Sequence, residues 1–124
     1  MAYSFAAERK PAYLHVRVAG ENNRETVLRY LEETAEACRQ HAASKVLIEE
    51  NLSGPSLSIG QMFELVSARS EQGPPPPITI AYVDVNPEHD PGRLRFGETT
   101  ARNRGFLFHL FASVPEAEEW LASR

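Results

Sequence analysis

The chain has 124 residues, 42% of them hydrophobic and 24% charged, with 13 Lys and Arg against 17 Asp and Glu for a formal net charge of −4. This composition excludes wholesale disorder and collagen-like repeats, the single cysteine excludes an intramolecular disulfide, and the slight acidity shows neither a nucleic-acid footprint nor an anionic-membrane anchor. No apolar run approaches the roughly 20 residues of a membrane span, and residues 1–10 lack the basic-then-apolar order of a signal peptide, so the expectation is one cytoplasmic domain over residues 1–124.

Tyr3, Phe5 and Ala7 alternate with Ser4, Ala6 and Glu8, and beyond a polar turn Leu14, Val16 and Val18 alternate with His15 and Arg17. A period of two predicts an opening β-hairpin. Asn22 followed by Glu25 resembles a capped helix start, and Val27, Leu31, Ala35, Cys38 and Ala42 recur every three or four residues, which predicts an amphipathic helix over 23–43. Cys38 lies on its apolar stripe as a small hydrophobe. The run Val46-Leu47-Ile48, within 45–49, reads as a strand covered on both faces. Ser58 and Gln61 form a capping pair ahead of Ile59, Met62, Phe63 and Val66, a helix reaching about residue 70. Gly73 and the prolines 74–77 cannot continue it and make an extended connector. Residues 78–85 read as an interior strand, and Asn86-Pro-Glu-His-Asp-Pro-Gly92 is dense in turn formers. A helix over 94–104 ends at Gly105, and 106–111 reads as another buried strand. Finally Ser113-Val-Pro-Glu116 opens a capped helix that places Ala117, Trp120 and Leu121 on one face, with Trp120 as its packing anchor.

The order is β-β-α-β-α-β-α-β-α. Alternating strands and helices predict an α/β domain with a mostly parallel sheet, an antiparallel N-terminal strand and four helices divided between the sheet faces.

That order, with the ending Ala101-Arg-Asn-Arg-Gly-Phe106, the strand to Phe111 and Ser113-Val-Pro-Glu-Ala-Glu-Glu-Trp-Leu121, resembles the STAS-like family over nearly the whole chain. The family's SpoIIAA-like fold is that of the bacterial anti-sigma-factor antagonists and is shared with the lipid-binding SEC14 domain. The resemblance implies a regulatory domain in which the serine opening the second helix is phosphorylated by a partner kinase; by position, Ser58 and Gly60 correspond to that loop. Here the segment is Ser56-Leu-Ser-Ile-Gly60, without the aspartate and adjacent serine pair of the antagonists, and the preceding strand ends in Glu49-Glu50-Asn51.

Ser58 therefore carries two readings, a helix cap and a phosphosite beside a helix N-terminus that would stabilise added negative charge. Arg93 and Arg95 lie near the positive end of the 94–104 helix and suit an anion, whereas Arg102 and Arg104 suit its C-terminal carbonyls. Asp84, Glu88, His89 and Asp90 have metal-ligand atoms but no recognised spacing, so a solvated turn and no metal are expected. No Ser-His-Asp order, phosphate-binding glycine loop or dinucleotide fingerprint is present, and no catalytic residue or cofactor is expected.

The expected function is a non-enzymatic STAS-like domain with a regulatory role, binding a protein partner or small ligand and no nucleic acid. A small SEC14-like carrier of an apolar ligand or lipid is the alternative, favoured by an apolar cavity of several hundred Å³. Enzymatic activity would need two or more convergent titratable groups in one cleft. Loops leaving parallel strands share one edge, so the expected binding rim there comprises Asn22, Asn51, Ser53, Ser56, Ser58, Asp84, Arg93 and Arg95.

Overall fold

A computed structural model describes residues 3–74 and 77–124. Prolines 75 and 76 of the expected connector lie outside the described residues. The elements run in the predicted order: β1 (Tyr3–Arg9), β2 (Leu14–Glu21), α1 (Arg24–Gln40), β3 (Lys45–Ser53), α2 (Ile59–Ser70), β4 (Thr79–Asp84), α3 (Pro91–Asn103), β5 (Leu107–Phe111) and α4 (Val114–Ala122), with α1 capped by Asn23 instead of Asn22 and ending at Gln40, before Ala42 turns to φ 52. The sheet has the order β1-β2-β3-β4-β5, with β1 antiparallel to β2 and every other pair parallel.

Each crossover advances one strand in the same direction, so crossovers of one hand deliver their helices to one face. Val27 and Tyr30 of α1 and Leu65 of α2 join Val16, Val18, Ile48 and Tyr82 of the sheet in the larger core, with Leu94 of α3 packed against it. On the opposite face α4 sits alone, burying Ala117 and Leu121 against Leu47, Ala81 and Val83. The helices thus divide three to one.

Three further expectations need correction. The third strand continues to Ser53, four residues beyond its expected end, because its parallel neighbours go on pairing: Glu50 with Asp84 and Ser53 with Glu21. Tertiary pairing overrides an acidic stretch with poor strand propensity. The third helix starts at Pro91 instead of 94, since Asp90 accepts from the Gly92 N–H at 3.0 Å and proline is pre-set for the first helical position. The last strand is an edge strand and not a buried one; Leu107 is 47% exposed. Gly105 does end α3 with φ 90, a left-handed conformation that costs glycine little.

Ser58 forms a reciprocal capping box: its hydroxyl accepts from the Gln61 N–H at 3.0 Å while Gln61 Oε1 accepts from the Ser58 N–H at 2.9 Å. Ser58→Ala is expected to lower stability by about 1 kcal/mol with the fold retained. An unchanged denaturation midpoint would show that the box contributes nothing.

Trp120 is half-buried, with ring centroids 4.7 Å from His109 and 5.2 Å from Phe111, and Arg124 lies over its face. It does anchor α4 on β5, but with part of its surface already in water. Trp120→Ala should cost about 2 kcal/mol, below the roughly 3–5 typical of a fully buried aromatic. Chemical denaturation checks this, and a loss under about 0.5 kcal/mol would assign the docking of α4 to Ala117 and Leu121 alone. No helix among the described residues is long and apolar enough to cross a membrane.

Candidate functional site

The loops after β2, β3 and β4 meet at the C-terminal edge of the parallel strands and hold one another. Asn22 Nδ2 donates to the Pro55 carbonyl at 2.9 Å, Asn86 Nδ2 donates to the Leu52 carbonyl at 2.8 Å, and the Asp90 N–H donates to Ser56 Oγ at 2.7 Å. Gly54 sits at φ 101, where a Cβ would be strained, and its carbonyl lies 2.9 Å from His89 Nε2.

Beneath these loops lies a polar cluster. The parallel register sets Glu50 opposite Asp84, and strand alternation turns both toward the α1–α3 layer. Glu50 is 3% exposed, and both its oxygens are occupied: Tyr30 OH donates to Oε2 and Tyr82 OH to Oε1, the latter at 2.6 Å. Asp84 Oδ1 accepts from the Asn86 N–H at 2.9 Å, and Asp84 Oδ2 lies 2.5 Å from His89 Nδ1. Since a carbonyl only accepts, His89 Nε2 carries the hydrogen directed at Gly54. Nδ1 is left in hydrogen-bond contact with the Asp84 carboxylate.

Burial pushes the Glu50 carboxyl up to about 7, against the opposing pull of the two tyrosine hydroxyls. The same burial, with Glu50 beside them, holds the Tyr30 and Tyr82 phenols well above their ordinary value, so both stay donors. Burial lowers the affinity of His89 for its proton, but the hydrogen bond and charge of Asp84 outweigh it and its pKa is raised. Ligand atoms of Glu50, Asp84 and His89 all lie within 4.8 Å of one another.

The cluster closes one end of a cavity of about 160 Å³ between the sheet and α1–α3. Val27, Leu31, Leu65, Ile80, Leu94 and Phe108 are among its walls. At the far end it reaches Ile78 and Phe106, just before β4 and β5, together with the Arg69 guanidinium, which lies 5.6 Å from the Phe106 ring centroid. The space therefore runs along the strands from an acid–histidine end to a guanidinium end.

Of the expected rim, Asn22, Ser56 and Asp84 come together here. Ser58 is exposed and caps α2, Arg93 pairs with Asp90 at 3.6 Å, and Arg95 is exposed. Asn51 and Ser53 are not loop residues; they lie within β3 on the face opposite Glu50, and Ser53 Oγ donates to the Gly20 carbonyl. The segment 84–90 is not a solvated turn throughout: Glu88 is exposed, but the side chains of Asp84 and His89 are each 2% exposed, because the β3 loop folds over them. Sequence reading missed Glu50, Tyr30, Tyr82 and Asn86 as site residues and set His89 aside in a solvated turn. The available signal was the alternation Val46, Ile48, Glu50, Leu52, which turns Glu50 inward if the strand is carried on.

No protein-family model matches this chain, and neither does any curated protein. Among solved structures, it is similar to the NMR structure of the protein TM1081 at 14% identity and TM-score 0.47, over 98% of this chain and 90% of that one.

Proposed function

We propose that this chain is a STAS-like domain that binds a small, largely apolar molecule between its sheet and α1–α3, in a regulatory or carrier role. The cavity carries this reading: it has apolar walls between an acid–histidine end and a guanidinium end. Its volume of about 160 Å³ is close to the roughly 150 Å³ of an engineered protein cavity that takes up benzene. It favours a ligand of single-ring size over a long-chain lipid. The STAS-like part rests on the element order and on the closing sequence from Gly105 through the strand to the capped Trp120-Leu121 helix.

Titration with indole, followed by methyl and amide NMR, is the test. Saturable shifts should concentrate on Leu31, Leu65, Ile80 and Leu94 and disappear in Ala101→Leu, which extends a side chain into the cavity from α3. No saturable shift in the wild-type protein, or shifts confined to the helix exteriors, would refute the reading.

One observation favours a second reading. Glu50, Asp84 and His89 are the convergent titratable groups that catalysis would require, and they face the cavity, so an enzyme acting on its occupant is the competing proposal. Recovering the bound molecule chemically unchanged after prolonged incubation supports binding, and recovering a product supports catalysis.

A further inference from the structure

We propose that Glu50, Asp84 and His89 form a binding site for one divalent metal ion of the zinc class, with an open coordination position facing the cavity. The proposal does not depend on what fills the cavity. The three ligands come from β3, the end of β4 and the loop after it, yet their donor atoms lie within 4.8 Å of one another, and Glu50 and His89 are buried. One imidazole with two carboxylates suits zinc and neighbouring first-row ions, whereas calcium takes six to eight oxygens.

The surroundings of the ligands strengthen the case. A metal-binding histidine typically donates its second N–H to a carbonyl or carboxylate, which fixes the tautomer. His89 does this from Nε2 to the Gly54 carbonyl, which leaves Nδ1 directed at Asp84. Asn22 and Asn86 each give one amide hydrogen to the Pro55 and Leu52 carbonyls, and their nitrogens lie 3.5 and 3.3 Å from Nε2, farther than the 2.9 Å of the Gly54 carbonyl. Glu50 is oriented by two tyrosine hydroxyls and Asp84 by the Asn86 N–H. Each carboxylate oxygen has two acceptor positions, so these hydrogen bonds leave lone pairs free for an ion.

Charge points the same way. Among the described residues the cation paired with either carboxylate is His89 itself. A divalent ion held by a neutral imidazole and two carboxylates makes a neutral cluster, with the protons it displaces released to water. Three protein ligands and an open fourth position is the arrangement of zinc sites that bind an exogenous molecule, and here the cavity adjoins the three.

The test uses the whole chain stripped with chelator and titrated with Zn²⁺ by calorimetry, with Co²⁺ absorption as the reporter of coordination. We expect one ion per chain, visible Co²⁺ bands of a low-coordinate site, and a Zn²⁺-dependent rise in melting temperature. His89→Gln and Glu50→Gln should each weaken Zn²⁺ binding by at least about 10-fold, and Tyr82→Phe, which removes only an outer hydrogen bond, should weaken it less. Circular dichroism of each variant separates lost ligation from lost folding, and Tyr82→Phe keeps all three ligands if the ligand variants do not fold. Absence of Zn²⁺ binding by the wild-type chain overturns the proposal. So does binding that persists unchanged in folded His89→Gln and Glu50→Gln, which would assign the ion to surface groups.

Discussion

Replacing His89 with alanine in chelator-treated protein is expected to cost about 3–5 kcal/mol, the range for breaking a buried ion pair by removing one partner. The Asp84 side chain is 2% exposed, and Nδ1 of His89 is the cationic partner beside it. The same substitution removes the contact from the β4 loop to the Gly54 carbonyl, so the cover over the cluster loosens as well. Urea denaturation of the single variant and of the double variant Asp84→Asn/His89→Ala checks the cause. If the stranded charge dominates, the double variant recovers stability relative to His89→Ala. If loop interlocking dominates, it does not.

The second large effect is a dependence on pH, opposite in sign to ordinary acid denaturation. Glu50 rises from 4.5 to about 7 in the folded protein, so the folded state binds its proton more tightly than the unfolded chain. Its contribution to stability is fully present below about 4.5 and is lost as pH climbs through 7, a total of about 3 kcal/mol at 1.36 kcal/mol per unit. His89 is also raised and adds to the loss above 6.5. Exposed carboxylates held below their usual range, such as Glu8 beside Lys10 and Arg17, act in the reverse direction in acid. The informative quantity is therefore the stability of wild type minus that of Glu50→Gln, measured by urea unfolding from pH 4 to 8 with chelator present. That difference should decline with pH. A flat difference would mean that the Glu50 carboxyl is not raised by its burial.

Much of the fold was legible in the residues. Alternation at Leu14, Val16 and Val18 and the capping pairs at Ser58 and Ser113 are local signals, decided by neighbours within a few positions. Gly105 at the end of α3 is another, because only its own φ is at stake. The cluster was not legible because its partners meet through register. Glu50 lies opposite Asp84 only once β3 and β4 are aligned, and Tyr30 arrives from a helix whose rotation is set by packing. Turn composition at 86–92 announced a reversal of the chain, which is correct. It carried no information on whether the neighbouring loop would fold over His89 and exclude water. Asn51 shows the converse error: placed in a loop, it had no assigned face, and within a strand it points away from its buried neighbour Glu50.

The isolation of α4 divides the molecule into parts with separate dynamics. It is the last element of the chain, held by Ala117, Leu121, Val114 and Trp120 against one face, while the cavity and cluster lie on the other. Detaching it need not disturb α1–α3. Partial opening of this kind costs less than global unfolding and is seen in hydrogen exchange as a cooperative unit of its own. Amides of residues 116–122 should therefore exchange through a lower-energy opening than those of β3. An occupant of the cavity should raise protection on the three-helix side far more than at α4. The opened form would bare Leu47, Ala81 and Val83, which makes the C-terminal helix the guard against association of molecules through that apolar sheet face.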